Sequence, residues 1–277
     1  MVFQRLIWAA LASAVVVGSV QTGVQRWQVA PLILAAEVYE AQKAEAPEPV
    51  APAAHVHSDA AAPHEHAHSN KQGAAKEWEP ENGFERIGWT WVANSLHAFS
   101  MALLVFAVMG VCLWRGAALR AVPLALWTAA AGWLVFHLWP SLGLPAEIPG
   151  MDAARLGSRQ GWWLLAAVSA ALACASIAGL RSHLRWVAAA AWLALPYVVG
   201  APHISADPLA GFGPEAQTAL RQLGTQFIWA TTWVALSFWA SMGLVGGLAF
   251  QRWVRPGLIA LLKGAGGADA GAVNAAR

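Results

Sequence analysis

The sequence predicts an all-α, polytopic transmembrane helical bundle of about six spans. Three observations carry this: too little charge to clothe a globule in water, six apolar runs of spanning length, and arginines biased to one side of those runs. Of 277 residues, 58% are hydrophobic and only 12% charged, with 17 Trp. A soluble domain is about 45–50% apolar and about 25% charged. That shortage argues against a soluble enzyme. A net charge of +2 without a basic cluster argues against a nucleic-acid binder. Two Cys, far apart and both inside apolar runs, exclude a disulfide scaffold or a Cys-based zinc module.

A membrane-crossing helix needs about 20 mostly apolar residues. Runs over 6–24, 92–114, 121–139, 161–180, 184–202 and 226–250 qualify, and none shows the period-two alternation of a barrel strand. The first run exceeds a typical signal-peptide core and ends without a small-x-small cleavage site, so it reads as a retained helix. The fourth and fifth runs are separated only by Arg181 to Arg185, which leaves five spans as the alternative count.

With the N-terminus in the cytoplasm, Arg5, Arg115, Arg120, Arg181, Arg185, Arg252 and Arg255 fall inside. Arg155, Arg159 and Arg221 then occupy the short outer loops. The bias favours this orientation, with both termini cytoplasmic. Trp27, Trp89, Trp91, Trp139, Trp162 and Trp163 outside, and Trp114, Trp186 and Trp253 inside, read as interfacial belts. The chain divides into a first helix with an interfacial extension (1–40), a His-rich outer loop (41–87), the helical bundle (88–255) and a flexible cytoplasmic tail (256–277). Ala44 to Gln72 is Ala, Pro, Glu and His with almost no large apolar side chains, and is expected to be disordered.

Eight of nine His fall on or near the outer face in this topology. Five lie in the loop as His55-x-His57 and His64-x-His66-x-His68, with Asp59 and Glu65 beside them. Alternate residues of an extended chain project to one side, so each cluster can offer two or three imidazoles to one ion. Imidazole suits Co²⁺, Ni²⁺, Cu²⁺ and Zn²⁺ better than Mg²⁺ or Ca²⁺, and does not choose among them. The rival reading is a solvated linker with chance His enrichment. His97, His137 and His203 sit at helix ends at similar depth; buried ionisable groups there are costly and often functional, although a lone His can be a packing residue. Glu37 and Glu40, at i, i+3, share a helix face and could hand a cation onward, or be plain solvated acids. The Pro- and Gly-rich segment from His137 to Gly150 reads as a rigid irregular loop around Glu147.

A short repeat precedes the second, fourth and sixth spans: Arg86-Ile-Gly88-Trp89, Arg159-Gln-Gly161-Trp162, and Arg221-Gln-Leu-Gly224 with Trp229 beyond. It suggests three similar helix hairpins. There is no Walker phosphate loop, serine-hydrolase elbow or His-Glu-x-x-His motif.

The runs Ala36-Glu37-Val-Tyr-Glu40, Trp78-Glu-Pro80-Glu-Asn-Gly83-Phe-Glu85-Arg86, Gly143-Leu-Pro145-Ala-Glu147-Ile-Pro149-Gly150, Arg159-Gln160 before Trp162-Trp163, and Leu195-Pro196-Tyr-Val-Val-Gly200-Ala-Pro202-His203 together resemble the CbtA family. The resemblance runs from the first span to the last. It implies a multi-span bacterial inner-membrane protein acting in cobalt uptake for cobalamin synthesis, usually described with five spans. It also implies a partner, CbtB, a small single-span protein with a His-bearing tail.

The function expected is therefore a non-enzymatic cobalt transporter subunit. His55, His57, His64, His66 and His68 would collect Co²⁺, and Glu37, Glu40, His97, His137, Glu147 and His203 would receive it. No tightly bound cofactor is expected; Co²⁺ is the transported ion, with Ni²⁺ or Zn²⁺ as alternatives. Membrane lipid and a small CbtB-like subunit are the expected partners. The spans are almost free of charge, and the hydroxyls of Ser95, Ser100, Thr128, Ser169, Thr231 and Thr232 are the candidates to line a path. A haem-binding redox subunit and a metal sensor or chaperone are the rival functions.

Overall fold

A computed structural model describes residues 2–45, 80–81 and 83–262. The described chain is helical, in seven helices: α1 (Val2–Gln28), α2 (Ala30–Glu45), α3 (Phe84–Trp114), α4 (Ala121–Ser141), α5 (Leu156–Gly179), α6 (Leu184–Val199) and α7 (Pro214–Leu262). Five of these, α1, α3, α4, α5 and α7, are long and apolar enough to cross a membrane. The loop histidines His55, His57, His64, His66 and His68, the expected disorder around them, and the tail beyond Leu262 lie outside the described residues.

The expected fifth span, 184–202, is shorter than its apolar run. Helix α6 has 16 residues, about 24 Å at 1.5 Å per residue, against a hydrocarbon core of about 30 Å. Gly200, at φ 88°, ends it. It nevertheless returns along α5. Trp162, near the start of α5, donates its indole N–H to the Pro196 carbonyl near the end of α6 (2.9 Å). The chain thus passes six times between two ends of the bundle, with α6 as the short pass.

Alanine and glycine let the backbones approach. The main core joins Ala9, Ala10, Ala14 and Val17 of α1 to Ala98, Ala102, Val105, Phe106 and Met109 of α3, with α4 and α7 closing around them. Without strong hydrophobic drive in lipid, such small-residue contacts carry association through close packing. At Gly18, an added Cβ would meet the Ser95 Cα at 2.8 Å, so only glycine fits there. Gly243 and Gly247 of α7 face Leu126, Ala129, Ala125 and Val122 of α4, the close approach that their four-residue spacing permits. A polar seam continues along α1 and α3. Trp91 Nε1 donates to Ser19 Oγ (3.0 Å), and Asn94 Nδ2 donates to Thr22 Oγ1 (3.0 Å) and Gln25 Oε1 (2.7 Å).

Three π-turns interrupt the long helices: Leu134–Leu138 in α4, and Met242–Gly246 and Phe250–Val254 in α7. The first has a local cause. Buried Pro140 offers no N–H to the carbonyl four residues earlier and its ring crowds it, so the helix widens just upstream. His137 to Ser141 is therefore helical, and the irregular loop around Glu147 starts only after Ser141.

Candidate functional site

The two ends of the bundle differ sharply in charge. At one lie α2, the loop between α4 and α5, the loop between α6 and α7, and the first turns of α3, α5 and α7. Here Ala36, Ile148, Leu209, Phe212, Leu220 and Phe227 form a second core that fastens α2 to both loops and to α7. The Asp152 N–H donates to the Pro208 carbonyl (2.8 Å), tying the loops together. All eight acids whose side chains are described are at this end: Glu37, Glu40, Glu81, Glu85, Glu147, Asp152, Asp207 and Glu215. We call it the acidic end, and its opposite the arginine end.

Three ion pairs form among the described residues, all at the acidic end. Arg86 of α3 meets Glu37 of α2 (3.0 Å), Arg159 of α5 meets Glu147 (2.6 Å), and Arg221 of α7 meets Asp207 (2.5 Å). These arginines are the ones that open the three sequence repeats. Each stands in the first turns of a spanning helix and holds an acid from the segment that leads into it. The Asp207 carboxyl is held below the usual carboxylate range, first by the Leu209 N–H it accepts (3.0 Å) and then by Arg221.

The predicted ligands occupy distinct places. Glu37 turns to Arg86, whereas exposed Glu40 lies beside Gly150. Glu147 is half-buried in its ion pair. His203 is exposed in the loop after α6. His97 lies deeper than its position in the apolar run suggests, because α3 begins at Phe84; its ring rests 5.0 Å from that of Phe238. Phe238 and Trp239 meet edge to face (5.3 Å), and Trp239 stacks on Phe136 (5.9 Å), so an aromatic chain runs from His97 towards the helix turn of His137. Among the described residues no three His, Cys, Asp or Glu side chains come together as a metal-holding group.

His137 has the most developed surroundings. It stands in the π-turn of α4 and lines a cavity of about 180 Å³ with Ser141, Thr231, Thr232, Phe136, Trp163 and neighbours. Its Nε2 is 3.3 Å from Thr232 Oγ1. The Thr232 hydroxyl donates its proton to the Ile228 carbonyl (2.8 Å), so towards His137 it accepts, and Nε2 carries the hydrogen. Nδ1 of the neutral ring is then the lone pair available to a cation. Sequence reasoning named Thr231 and Thr232 only as generic hydroxyls. The signal it lacked is the meeting of Thr232 with His137, ninety-five positions away across helices, with Thr231 lining the same cavity. A larger groove of about 570 Å³ runs between α1, α2 and the start of α3, floored by Thr22 and Gln25 and flanked by Arg26 and Arg86.

Two expected belt tryptophans have other duties. Trp162 is buried, and Trp139 donates to the Leu193 carbonyl (3.1 Å). Both rings meet Tyr197 edge-on, and the Tyr197 hydroxyl donates to the Trp139 carbonyl (2.6 Å). They secure the short α6, whose Pro196 cannot donate its own backbone bond.

With this architecture in view, the family comparison is decisive. The model of the family described as "Probable cobalt transporter subunit (CbtA)" matches residues 3–251. The chain belongs to the CbtA family. The match covers every pass of the bundle, and with five helices of spanning length it makes the chain a multi-pass membrane protein. As a CbtA subunit it is implied to work with at least one further subunit in cobalt transport. No curated protein and no solved structure matches the chain.

Proposed function

We propose that this CbtA chain gathers Co²⁺ at the outer face of the bacterial inner membrane and passes it across with a small single-span CbtB-like subunit. The observation that carries the reading is the collection of carboxylates and His203 at one end of the bundle, with the His137 cavity opening nearby. His55, His57, His64, His66 and His68 stand in sequence between α2 and α3, whose Glu37 and Arg86 are in contact at that end.

In this reading the loop raises the local ion concentration by weak multivalent binding, and His137 offers Nδ1 as the ion sheds water. The arginine bias favours the acidic end outside and both termini in the cytoplasm. Further in, the hydroxyls of Ser100 and Thr128 donate to carbonyls of their own helices, and Ser169 is buried. A bare divalent ion finds few ligands in such spans, which supports a path shared with the partner.

The test is radioactive cobalt uptake in cells stripped of their own importers, with this chain expressed alone and beside the small subunit. Uptake that requires both, and that falls when His137 is changed to Gln, is the expected result. No uptake in either arm, with membrane insertion confirmed, would overturn transport in favour of binding or sensing.

A further inference from the structure

At the arginine end stand Arg5, Arg115, Arg120, Arg181, Arg185, Arg252 and Arg255, and no acid among the described residues accompanies them. Four of them belong to two adjoining turns. Arg115 and Arg120 bound the turn between α3 and α4; Arg181 and Arg185 bracket the start of α6 after the turn from α5. These turns are neighbours, because the Arg115 guanidinium reaches Gly179 at the end of α5, with Nη1 3.8 Å from where a Cβ would stand. Arg115, Arg120 and Arg181 are exposed, and Arg185 lies over the Trp186 ring at 5.1 Å. Trp114 and Trp186 project beside them, 70% and 55% exposed. Indole rings of this kind sit at headgroup level.

We infer that the arginine cluster shared by the α3–α4 and α5–α6 turns binds the headgroup of an anionic phospholipid. Three features favour lipid as the occupant. Guanidinium groups match phosphate oxygens in a fork geometry. The cluster lies where two spanning helices end, and so at a bilayer surface. The exposed Trp114 and Trp186 offer apolar edges to the acyl chains below. The acidic end offers no equivalent, because three of its arginines already hold carboxylates.

The full-length chain, purified in detergent, is to be titrated with phosphatidylglycerol, phosphatidylcholine and inorganic phosphate, reading thermal unfolding and retained lipid by native mass spectrometry. Phosphatidylglycerol should raise the unfolding temperature and remain bound, while the other two leave both unchanged. The paired change Arg115→Gln with Arg181→Gln should weaken retention roughly fivefold per arginine. Arg115→Lys with Arg181→Lys should keep most of it, and Arg155→Gln at the opposite end should keep all. Equal effects of phosphatidylcholine or inorganic phosphate would overturn the proposal, as would full retention in the paired Gln variant. Should that variant fail to insert, the lipid comparison on the unaltered chain decides alone. None of these readouts depends on cobalt, so the inference and the transport reading stand or fall separately.

Discussion

Thr232 makes His137 more than a lone polar residue in an apolar wall. By accepting from Nε2 it favours the tautomer whose Nδ1 lone pair is free, the service that hydrogen-bond partners give to metal-bound imidazoles. Thr232→Val keeps the shape and removes the acceptor, and should weaken cobalt binding about 10- to 100-fold in chain lacking residues 55–68, measured by calorimetry. Asp207 is a second residue with a calculable effect. Its folded-state carboxyl titrates below its unfolded value, so its contribution to stability is present at neutral pH and disappears as pH falls through the folded value. Asp207→Asn should therefore lower the unfolding temperature at pH 7, with the difference shrinking as the pH falls below the usual carboxylate range, as followed by thermal scans in acid. Gly18→Ala forces a methyl onto the backbone of Ser95 and should cost about 1–3 kcal/mol in a reversible unfolding assay, whereas Gly23→Ala, with open space around it, should cost far less.

Among the elements, the long helices were legible because runs of about 20 apolar residues leave few alternatives in lipid. The ends were not. Helix α3 starts eight residues before its apolar run, because Phe84 to Trp91 packs and pairs as a helix beyond the span, with Arg86 on Glu37. Hydropathy counts apolar residues and is blind to that. It also treats every tryptophan near a boundary alike; Trp139 and Trp162 were taken by the backbone of α6, a tertiary arrangement that no local pattern encodes. The three-arginine repeat was visible, whereas its partners Glu37, Glu147 and Asp207 stand at unequal spacings of 49, 12 and 14 positions and share no motif. At the scale of a segment, deleting residues 55–68 tests the division of labour. Uptake should lose apparent affinity for cobalt and keep residual flux at saturating ion; complete loss at every concentration would make the loop the whole function.

Among the described residues, charge separation is the organising fact: acids at one end, arginines with no acid beside them at the other, and six passes between. The first and last described helices meet at the arginine end, where Val2 lies against Gly257. Tags placed before α1 and after α7 should consequently react from the same side of sealed vesicles. Labelling from opposite sides would remove α6 from the set of crossings.

Helix α7 runs for 49 residues, about 73 Å, widened at two π-turns and more than twice as long as the hydrocarbon core is thick. One end carries the Asp207–Arg221 latch and the other the π-turn of Arg252. It is in effect an axle through the membrane: a rotation begun by loosening the latch must either reach the far surface or be absorbed at the two widened turns on the way. Those turns, rather than the loops, are where a signal between the two faces of this subunit would be gained or lost.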